Sequence, residues 1–216
     1  MRQTDRLGQP GRSGPDIPDI GTAGPQLRAA RPEDCRRIAE LFEISSDGVA
    51  DYVWSQLRAD YPGLSLLEIG ERRYARESTA FSYQNCVVAE RAGEVIGMLH
   101  AFVIEPAEGP PPEADAIDPV LRPYAELEVP GSLYISGLAL LPGERGRGIG
   151  SRLLGVARER AQEFSCAEVS LICFAANDGA RRLYEHHGFT VTDRRDIVPH
   201  PMIHATGEAL LMTAPV

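Results

Sequence analysis

The sequence predicts one α/β domain, and three observations support that fold class. Strand-like and helix-like segments alternate in the second half of the chain, apolar residues recur there at helical spacing, and a glycine-rich turn joins a strand to a helix. The chain has 216 residues, 43% of them hydrophobic, which suits one ordinary domain with a full core. We therefore expect a single domain over residues 27–216.

The first half of the chain is predicted to begin with a disordered tail. Residues 1–26 are rich in Gly, Pro, Asp and Arg and lack apolar periodicity, so they cannot bury enough surface to offset the entropy of ordering. Residues 27–30 then form a predicted strand, and residues 31–34 (Arg-Pro-Glu-Asp) mark the start of a helix. The irregularly amphipathic stretch over residues 49–77 predicts two further helices.

A hairpin and a long surface excursion are predicted before the alternating second half. Residues 85–90 and 95–104 are rich in Val and Ile and form the predicted hairpin. Residues 105–118 are acidic and too often interrupted by proline for a tight turn, so we expect them at the surface. The predicted order then continues with strand 132–141, helix 148–164, strand 168–173, helix 177–187, strand 189–198 and strand 208–213.

Composition and charge argue against several classes of protein. The net charge of -9 argues against nucleic acid as a partner, because phosphate backbones require clustered Lys and Arg, and it fits a cationic substrate better. No apolar run approaches the ~20 residues that span a bilayer, and the first residues lack the apolar core of a secretory signal, so we expect a cytoplasmic protein without membrane contact. The four cysteines show no CxxC spacing, which favours reduced, buried thiols and no metal site.

The turn after the strand over residues 132–141 has the composition of an anion site. It reads Arg145-Gly146-Arg147-Gly148-Ile149-Gly150. Backbone N–H groups at a helix start have no intrahelical acceptor, and they lie at the positive end of the helix dipole. Glycines let a ligand come close to those groups. The turn therefore predicts a phosphate or pyrophosphate site, and a turn that only joins strand to helix is the alternative.

Two familiar nucleotide-binding loops do not match these residues. A P-loop ends in Gly-Lys-Ser/Thr, whereas this loop ends in Gly150-Ser151-Arg152. A dinucleotide fingerprint needs an acidic residue at the end of the following strand, whereas Glu168 stands at the start of that strand here. The loop therefore belongs to neither of these two nucleotide-binding folds.

Two blocks of the sequence together resemble one enzyme family. The first is Leu138-Ala139-Leu140-Leu141-Pro142 followed by the loop from Arg145 to Gly150, and the second runs from Asn177 to Phe189. They are similar to the Gln/Arg-x-x-Gly-x-Gly/Ala and Asn-x-x-Ala-x-x-x-Tyr-x-x-x-Gly-Phe segments of the GNAT superfamily of acyl-CoA-dependent N-acyltransferases. The resemblance implies a mixed, mostly antiparallel central sheet of about seven strands flanked by helices.

The resemblance also implies acetyl-CoA as the cosubstrate and the residues that hold it. The backbone of Leu138 and Leu140, on either side of Ala139, would pair with the pantetheine arm, and the Leu140 N–H would polarise the thioester carbonyl. Asn177 would cap a helix and also meet the pantetheine or diphosphate. The pyrophosphate would be held by the backbone amides of Arg145, Gly146, Arg147, Gly148, Ile149, Gly150 and Ser151.

Tyr184 is implied to be the proton donor to the departing CoA sulfur. A tyrosine has a pKa near ~10 and a thiol near ~8.5, so this proton transfer needs help from geometry. The alternative role is core packing, because Ala180, Leu183, Tyr184 and His187 lie on one helical stripe.

The acceptor amine and its general base stay open. We expect direct attack by a primary amine of a small molecule, an amino acid or a protein, in a monomer or homodimer. The competing hypothesis is a non-catalytic acyl-CoA-binding sensor or interaction module, which could have a closed acceptor cleft. Besides water, the candidates for the base are His100, Glu126, Glu128, Tyr134, Ser136, His200 and His204.

Overall fold

The centre of the fold is a mixed sheet with helices on both faces. The structure is a computed structural model that describes residues 24–106 and 117–216. Within these residues the sheet has seven strands, all but one pair of neighbours being antiparallel, which confirms the predicted fold class. The predicted tail lies outside the described residues as far as residue 23, and so does the middle of the predicted excursion, residues 107–116.

The elements follow the predicted alternation closely. Within the described residues, the helices are α1 (Cys35–Ser46), α2 (Val49–Gln56), α3 (Leu66–Tyr74), α4 (Arg122–Ala125), α5 (Ile149–Glu163) and α6 (Asp178–His186). The strands are β1 (Gln26–Ala29), β2 (Cys86–Arg91), β3 (Glu94–Val103), β4 (Leu133–Leu140), β5 (Glu168–Phe174), β6 (Thr190–Asp196) and β7 (Glu208–Pro215). Their order in the sheet is β1-β2-β3-β4-β5-β7-β6.

Alternating side chains on the strands supply a core on each face of the sheet. On β2, Val87 and Ala89 pack towards α5 and α6, whereas Cys86 and Val88 pack towards α1, α2 and α3. All four cysteines of the chain are buried and unpaired, as predicted. The two cores hold the sheet between its helices, so the gap described next has rigid walls.

The parallel pair of β4 and β5 opens a gap in the sheet. The two strands pair only from Leu133 to Ile135 on β4, opposite residues 169–171 of β5. β4 then continues to Leu140 alongside β3. A bulge at Ser136 interrupts the β3–β4 register where the pairing with β5 ends, and a bulge bends its strand.

The bulge also changes which β4 side chains face which core. Leu133 and Ile135 before it and Leu138 and Leu140 after it all pack on the α5 side, although strict alternation would separate these two pairs. The extra residue, Ser136, turns towards the α1 side, where it forms part of a cavity described below. Sequence periodicity alone could not show this change of side.

Most predicted boundaries differ from the structure by one or two residues. Residues 32–34 form a 3₁₀ turn before α1, and β1 starts at Gln26, one residue earlier than expected. The strand predicted over residues 189–198 ends at Asp196.

The short helix α4 was not predicted, because four residues with a proline among them show no helical period. Asp118 precedes α4 and accepts a hydrogen bond from the Val120 N–H at 2.8 Å.

Candidate active site

The glycine-rich loop connects the end of β4 to the start of α5. Gly146 and Gly148 have φ angles of 72° and 76°, in the left-handed region that favours glycine. A β-carbon added at either position would meet no atom of the described residues within 4 Å. The backbone at these two glycines therefore faces open space that a ligand can occupy.

The first turn of α5 presents free backbone donors to that space. The Arg152 N–H donates to the Gly148 carbonyl oxygen at 3.2 Å and begins the helical ladder. The N–H groups of Ile149, Gly150 and Ser151 precede it and so have no intrahelical acceptor. They lie at the positive end of a helix of 15 residues. The loop therefore has the donor set that an anionic phosphate needs.

A cavity of about 510 Å³, here called the loop cavity, lies beside these donors. Most of the predicted site residues line it: Leu138, Ala139, Leu140, Arg145, Gly146, Gly148, Gly150, Ser151, Asn177 and Tyr184. Two predicted residues do not. The Arg147 guanidinium lies 3.7 Å from the Glu144 carboxylate, and the Ile149 side chain is buried in the core. Ile149 can therefore contribute only its backbone amide, whereas the exposed Arg147 side chain lies outside the cavity in this structure.

The gap edge of β4 forms one wall of the loop cavity. The Leu141 N–H donates to the Ile96 carbonyl oxygen of β3 at 2.9 Å. Because backbone groups alternate along a strand, those of Leu140 and Leu138 point the other way, into the gap. The Leu140 carbonyl oxygen accepts a hydrogen bond from Arg145 Nε at 3.3 Å. The edge is thus suited to pair with an extended ligand.

Helix α6 supplies the opposite wall. The Asn177 side chain caps this helix by accepting a hydrogen bond from the Ala180 N–H at 3.1 Å, as predicted. Tyr184 is buried and its ring lies 5.8 Å from that of Phe189, so it packs in the core and also lines the cavity. Burial raises the pKa of the Tyr184 hydroxyl well above its ordinary value. Tyr184 therefore stays protonated across the physiological pH range.

Residues of α1 complete the loop cavity, and sequence reasoning missed them. Ile44 and Ser45 line it although neither belongs to a motif. Ile44 is 43% exposed, which is unusual for a large apolar side chain on a helix that packs against the sheet. That exposure arises because the side chain faces the cavity, and no local pattern could have indicated it.

A second cavity, here called the aromatic cavity, lies on the α1 side of β4. It has a volume of about 310 Å³, and its lining includes seven aromatic rings: Phe42, Trp54, Phe81, Phe102, Tyr124, Tyr134 and Phe174. Ser136 at the bulge and Glu128 after α4 also line it. Since Ser136 is two residues from Leu138, roughly 7 Å of strand separates the walls of the two cavities.

The candidates for a general base are distributed unevenly between the cavities and the surface. Glu128, Tyr134 and Ser136 line the aromatic cavity. Glu126 instead pairs with Arg195 at 2.8 Å, and His200 and His204 line neither cavity. The structure thus brings three of the candidates to one place.

Among the candidates for the base, Glu128 and His100 differ in how well they can accept a proton. Partial burial raises the pKa of the Glu128 carboxyl, so it is a stronger base than an ordinary glutamate. Ser136 Oγ lies 2.5 Å from His100 Nδ1, and the other ring nitrogen of His100 lies 2.9 Å from the Ala80 carbonyl oxygen. Burial lowers the pKa of His100 to about 4, which makes it a weak base.

Neither a metal-binding cluster nor a membrane-spanning helix occurs within the described residues. Among residues 24–106 and 117–216 no group of three His, Cys, Asp or Glu side chains is placed to hold a metal ion. In the same part of the chain no helix is both long and apolar enough to cross a bilayer.

Comparison with known proteins identifies the family. Solved structures with the same fold include an acetyltransferase (22% identity, 88% of this chain and 99% of that one, TM-score 0.60) and an N-acetyltransferase from Staphylococcus aureus Mu50 (20%, 88% and 100%, 0.58). A ribosomal-protein-alanine N-acetyltransferase from Brucella melitensis is also similar (18%, 88% and 99%, 0.55). None of the curated protein sequences matches this one. The family model "Acetyltransferase (GNAT) family" matches residues 49–189, so the chain belongs to the GNAT family of acetyltransferases.

Proposed function

We propose that this protein transfers an acetyl group from acetyl-CoA to a primary amine by direct attack. One observation carries the proposal: the loop cavity and the aromatic cavity lie next to each other along β4, on either side of the bulge at Ser136. A donor in the first cavity and an acceptor in the second would meet at the gap between β4 and β5. The open aromatic cavity also favours an enzyme over a sensor with a closed acceptor cleft.

The backbone donors and the strand edge of the loop cavity support acetyl-CoA as the cosubstrate. The space in front of Gly146 and Gly148 would receive the pyrophosphate, held by the free amides at the start of α5. The gap edge at Leu138 and Leu140 would pair with the two amides of the pantetheine arm as an added strand does. Acetyl-CoA supplies an activated thioester, and the residues of this chain would orient it.

The acceptor side would provide a neutral amine and a place for its proton. We assign the general base to Glu128, because it lines the aromatic cavity and has a raised pKa. The amine nitrogen would form a bond to the thioester carbonyl carbon, the carbon–sulfur bond would break, and the amine proton would go to Glu128. A gap-facing backbone N–H of β4 would stabilise the negative charge that develops on the carbonyl oxygen.

Tyr184 would assist the leaving group by donating a hydrogen bond. Burial holds the pKa of its hydroxyl above that of a thiol, so complete proton transfer to the CoA thiolate is uphill. A hydrogen bond to a charged group is worth about 1.5–3 kcal/mol, which corresponds to roughly 10- to 100-fold in rate. The proposed role is therefore stabilisation of the developing thiolate.

Release of the CoA thiol tests this function. With acetyl-CoA and a panel of primary amines, we expect amine-dependent thiol release, and Tyr184→Phe should lower kcat by roughly 10- to 100-fold while the acetyl-CoA KM stays within about threefold. Tyr83→Phe is the control, because Tyr83 lines neither cavity and its hydroxyl donates a hydrogen bond to Glu77. Equal turnover in Tyr184→Phe and wild type would assign Tyr184 to core packing alone. Absence of thiol release with every amine would contradict the enzymatic proposal.

A further inference from the structure

Arg73 of α3 lies at the wall of the aromatic cavity. Its guanidinium carbon is 5.9 Å from the centroid of the Phe81 ring. Burial and the neighbouring Arg76 both lower the pKa of Arg73, and no carboxylate of the described residues opposes them. None of the ion pairs within residues 24–106 and 117–216 includes it. A half-buried cation of this kind is costly unless it gains an anionic partner.

Ring contacts connect Arg73 to the reacting end of the cavity. Phe81 lies 5.7 Å from Phe102, and Phe102 lies 5.8 Å from Tyr134, as measured between ring centroids. Burial raises the pKa of the Tyr134 hydroxyl, and the negative charge of the nearby Glu128 carboxylate adds to the effect. The lining of the cavity therefore includes a cation beside Phe81, a carboxylate near Tyr134 and a series of aromatic rings that connects these two positions.

From this arrangement we infer that the acceptor is a small aromatic amine that also carries a carboxylate, which Arg73 binds. The inference rests on the proposed function, since it places the amine of that acceptor at Glu128. The aromatic walls match a ring-sized apolar body. The planar guanidinium of Arg73 can accept a carboxylate in two parallel hydrogen bonds, a geometry that a lysine cannot reproduce.

A cavity of about 310 Å³ favours a small molecule over a polypeptide segment as the occupant. The volume is at the lower end for sites that enclose small ligands, roughly 300–1,000 Å³. A peptide amino terminus would also place an uncharged amide bond where the free acid has its carboxylate. The experiment below separates these two kinds of acceptor.

Calorimetry with a matched ligand set tests the inference without requiring turnover. The ligands are phenethylamine, phenylalanine, 4-(2-aminoethyl)benzoate and phenylalaninamide, titrated into the protein saturated with CoA. Phenylalanine has its carboxylate beside the amine, and 4-(2-aminoethyl)benzoate has it at the far end of the ring. Phenylalaninamide imitates a peptide terminus. The variants are Arg73→Met and, as matched control, Arg72→Met, which removes the same charge from an exposed neighbouring position. Arg73→Lys keeps the charge but not the two-bond geometry.

We expect at least one acid to bind about tenfold or more tightly than phenethylamine in the wild type and in Arg72→Met. Arg73→Met should abolish this preference by weakening the acid far more than phenethylamine, which has no carboxylate, and Arg73→Lys should restore part of it. Equal binding of acid and amine, tighter binding of phenylalaninamide, or a preference that survives Arg73→Met would each overturn the inference. Acetyl-CoA binding and thiol release, measured on the same samples, report separately on the proposed function, so the two failures can be told apart.

Discussion

At the level of single residues, the proposed proton transfer depends on side chains that line the aromatic cavity. Glu128 is the one carboxylate that lines this cavity among the described residues, and burial raises its pKa. Glu126 pairs with Arg195 on the surface. The two glutamates therefore form a natural test and control for the proposed base.

Glu128→Gln should lower kcat/KM for the amine by roughly 100-fold, because general base catalysis contributes about 10²–10⁴-fold. The wild type should lose activity as the pH falls through the raised pKa of Glu128, since the protonated carboxyl cannot accept the amine proton. The variant should lack that acidic limb. The measurement is kcat/KM between pH 4.5 and 9, with Glu126→Gln expected to match the wild type. An acidic limb that persists in Glu128→Gln would assign the base to another group or to water.

At the scale of elements, the acceptor side depends on how α1 and α2 meet the connection between β6 and β7. Gly48 lies between the two helices with a φ of 92°, and a β-carbon there would overlap the Met202 carbonyl oxygen. The His204 N–H donates to the Asp47 carbonyl oxygen at 2.9 Å beside this contact. The close approach of the two segments therefore requires a glycine at this position.

A pair of glycine substitutions separates that packing requirement from backbone strain. Gly63 has a φ of 82°, but a β-carbon there would meet nothing within 4 Å among the described residues. Gly63→Ala should cost about 1 kcal/mol from the left-handed backbone alone. Gly48→Ala should cost about 3 kcal/mol or more, because the overlap adds to the same strain. Urea unfolding measures both values, and similar costs would refute the close packing of Gly48 on Met202.

The elements also show which parts of the site a sequence can predict. The loop from Arg145 to Gly150 and helix α5 were predicted because their chemistry is local: glycines, a helix start and an apolar stripe lie next to each other in the chain. The aromatic cavity was not, because Phe42, Phe81, Tyr124 and Phe174 come from distant segments that only the fold brings together. The β4 bulge was missed for a related reason, since its signal is a register with β3.

At the scale of the whole molecule, an acidic pair formed by Glu43 of α1 and Asp51 of α2 links the stability of the fold to pH. Burial, together with a hydrogen bond to Asp51, raises the pKa of Glu43 from 4.5 to about 7. Folding therefore favours the protonated form of Glu43. The stabilisation is fully present below pH 4.5 and is lost as the pH rises through about 7.

Glu43→Gln should remove that dependence, because glutamine stays neutral and can still donate to Asp51. Between pH 5 and pH 8, the free energy of unfolding of the wild type should fall by roughly 1 kcal/mol relative to the variant, after allowance for solvent screening of a partly exposed pair. Urea unfolding at several pH values provides the measurement, with Glu159→Gln on the exposed side of α5 as control. Parallel pH profiles for Glu43→Gln and the wild type would disprove the link.

We propose that the start of α5 holds the pyrophosphate of acetyl-CoA. Two glycines of that helix allow a direct test. Gly150 lines the loop cavity, and a β-carbon added there would lie close only to the tip of the Leu183 side chain. Gly155 lies about 1.4 turns further along α5, and a β-carbon added there would meet no atom of the described residues within 4 Å. Gly150→Glu would place a negative charge at the phosphate site, and Gly155→Glu places the same charge away from it.

Calorimetric titration of acetyl-CoA into the wild type, Gly150→Glu and Gly155→Glu is the decisive measurement, with circular dichroism to confirm that all three are folded. We predict one-to-one binding to the wild type and to Gly155→Glu, and binding at least about 100-fold weaker to Gly150→Glu. Unchanged affinity in folded Gly150→Glu, or no binding of acetyl-CoA to the wild type, would contradict the account.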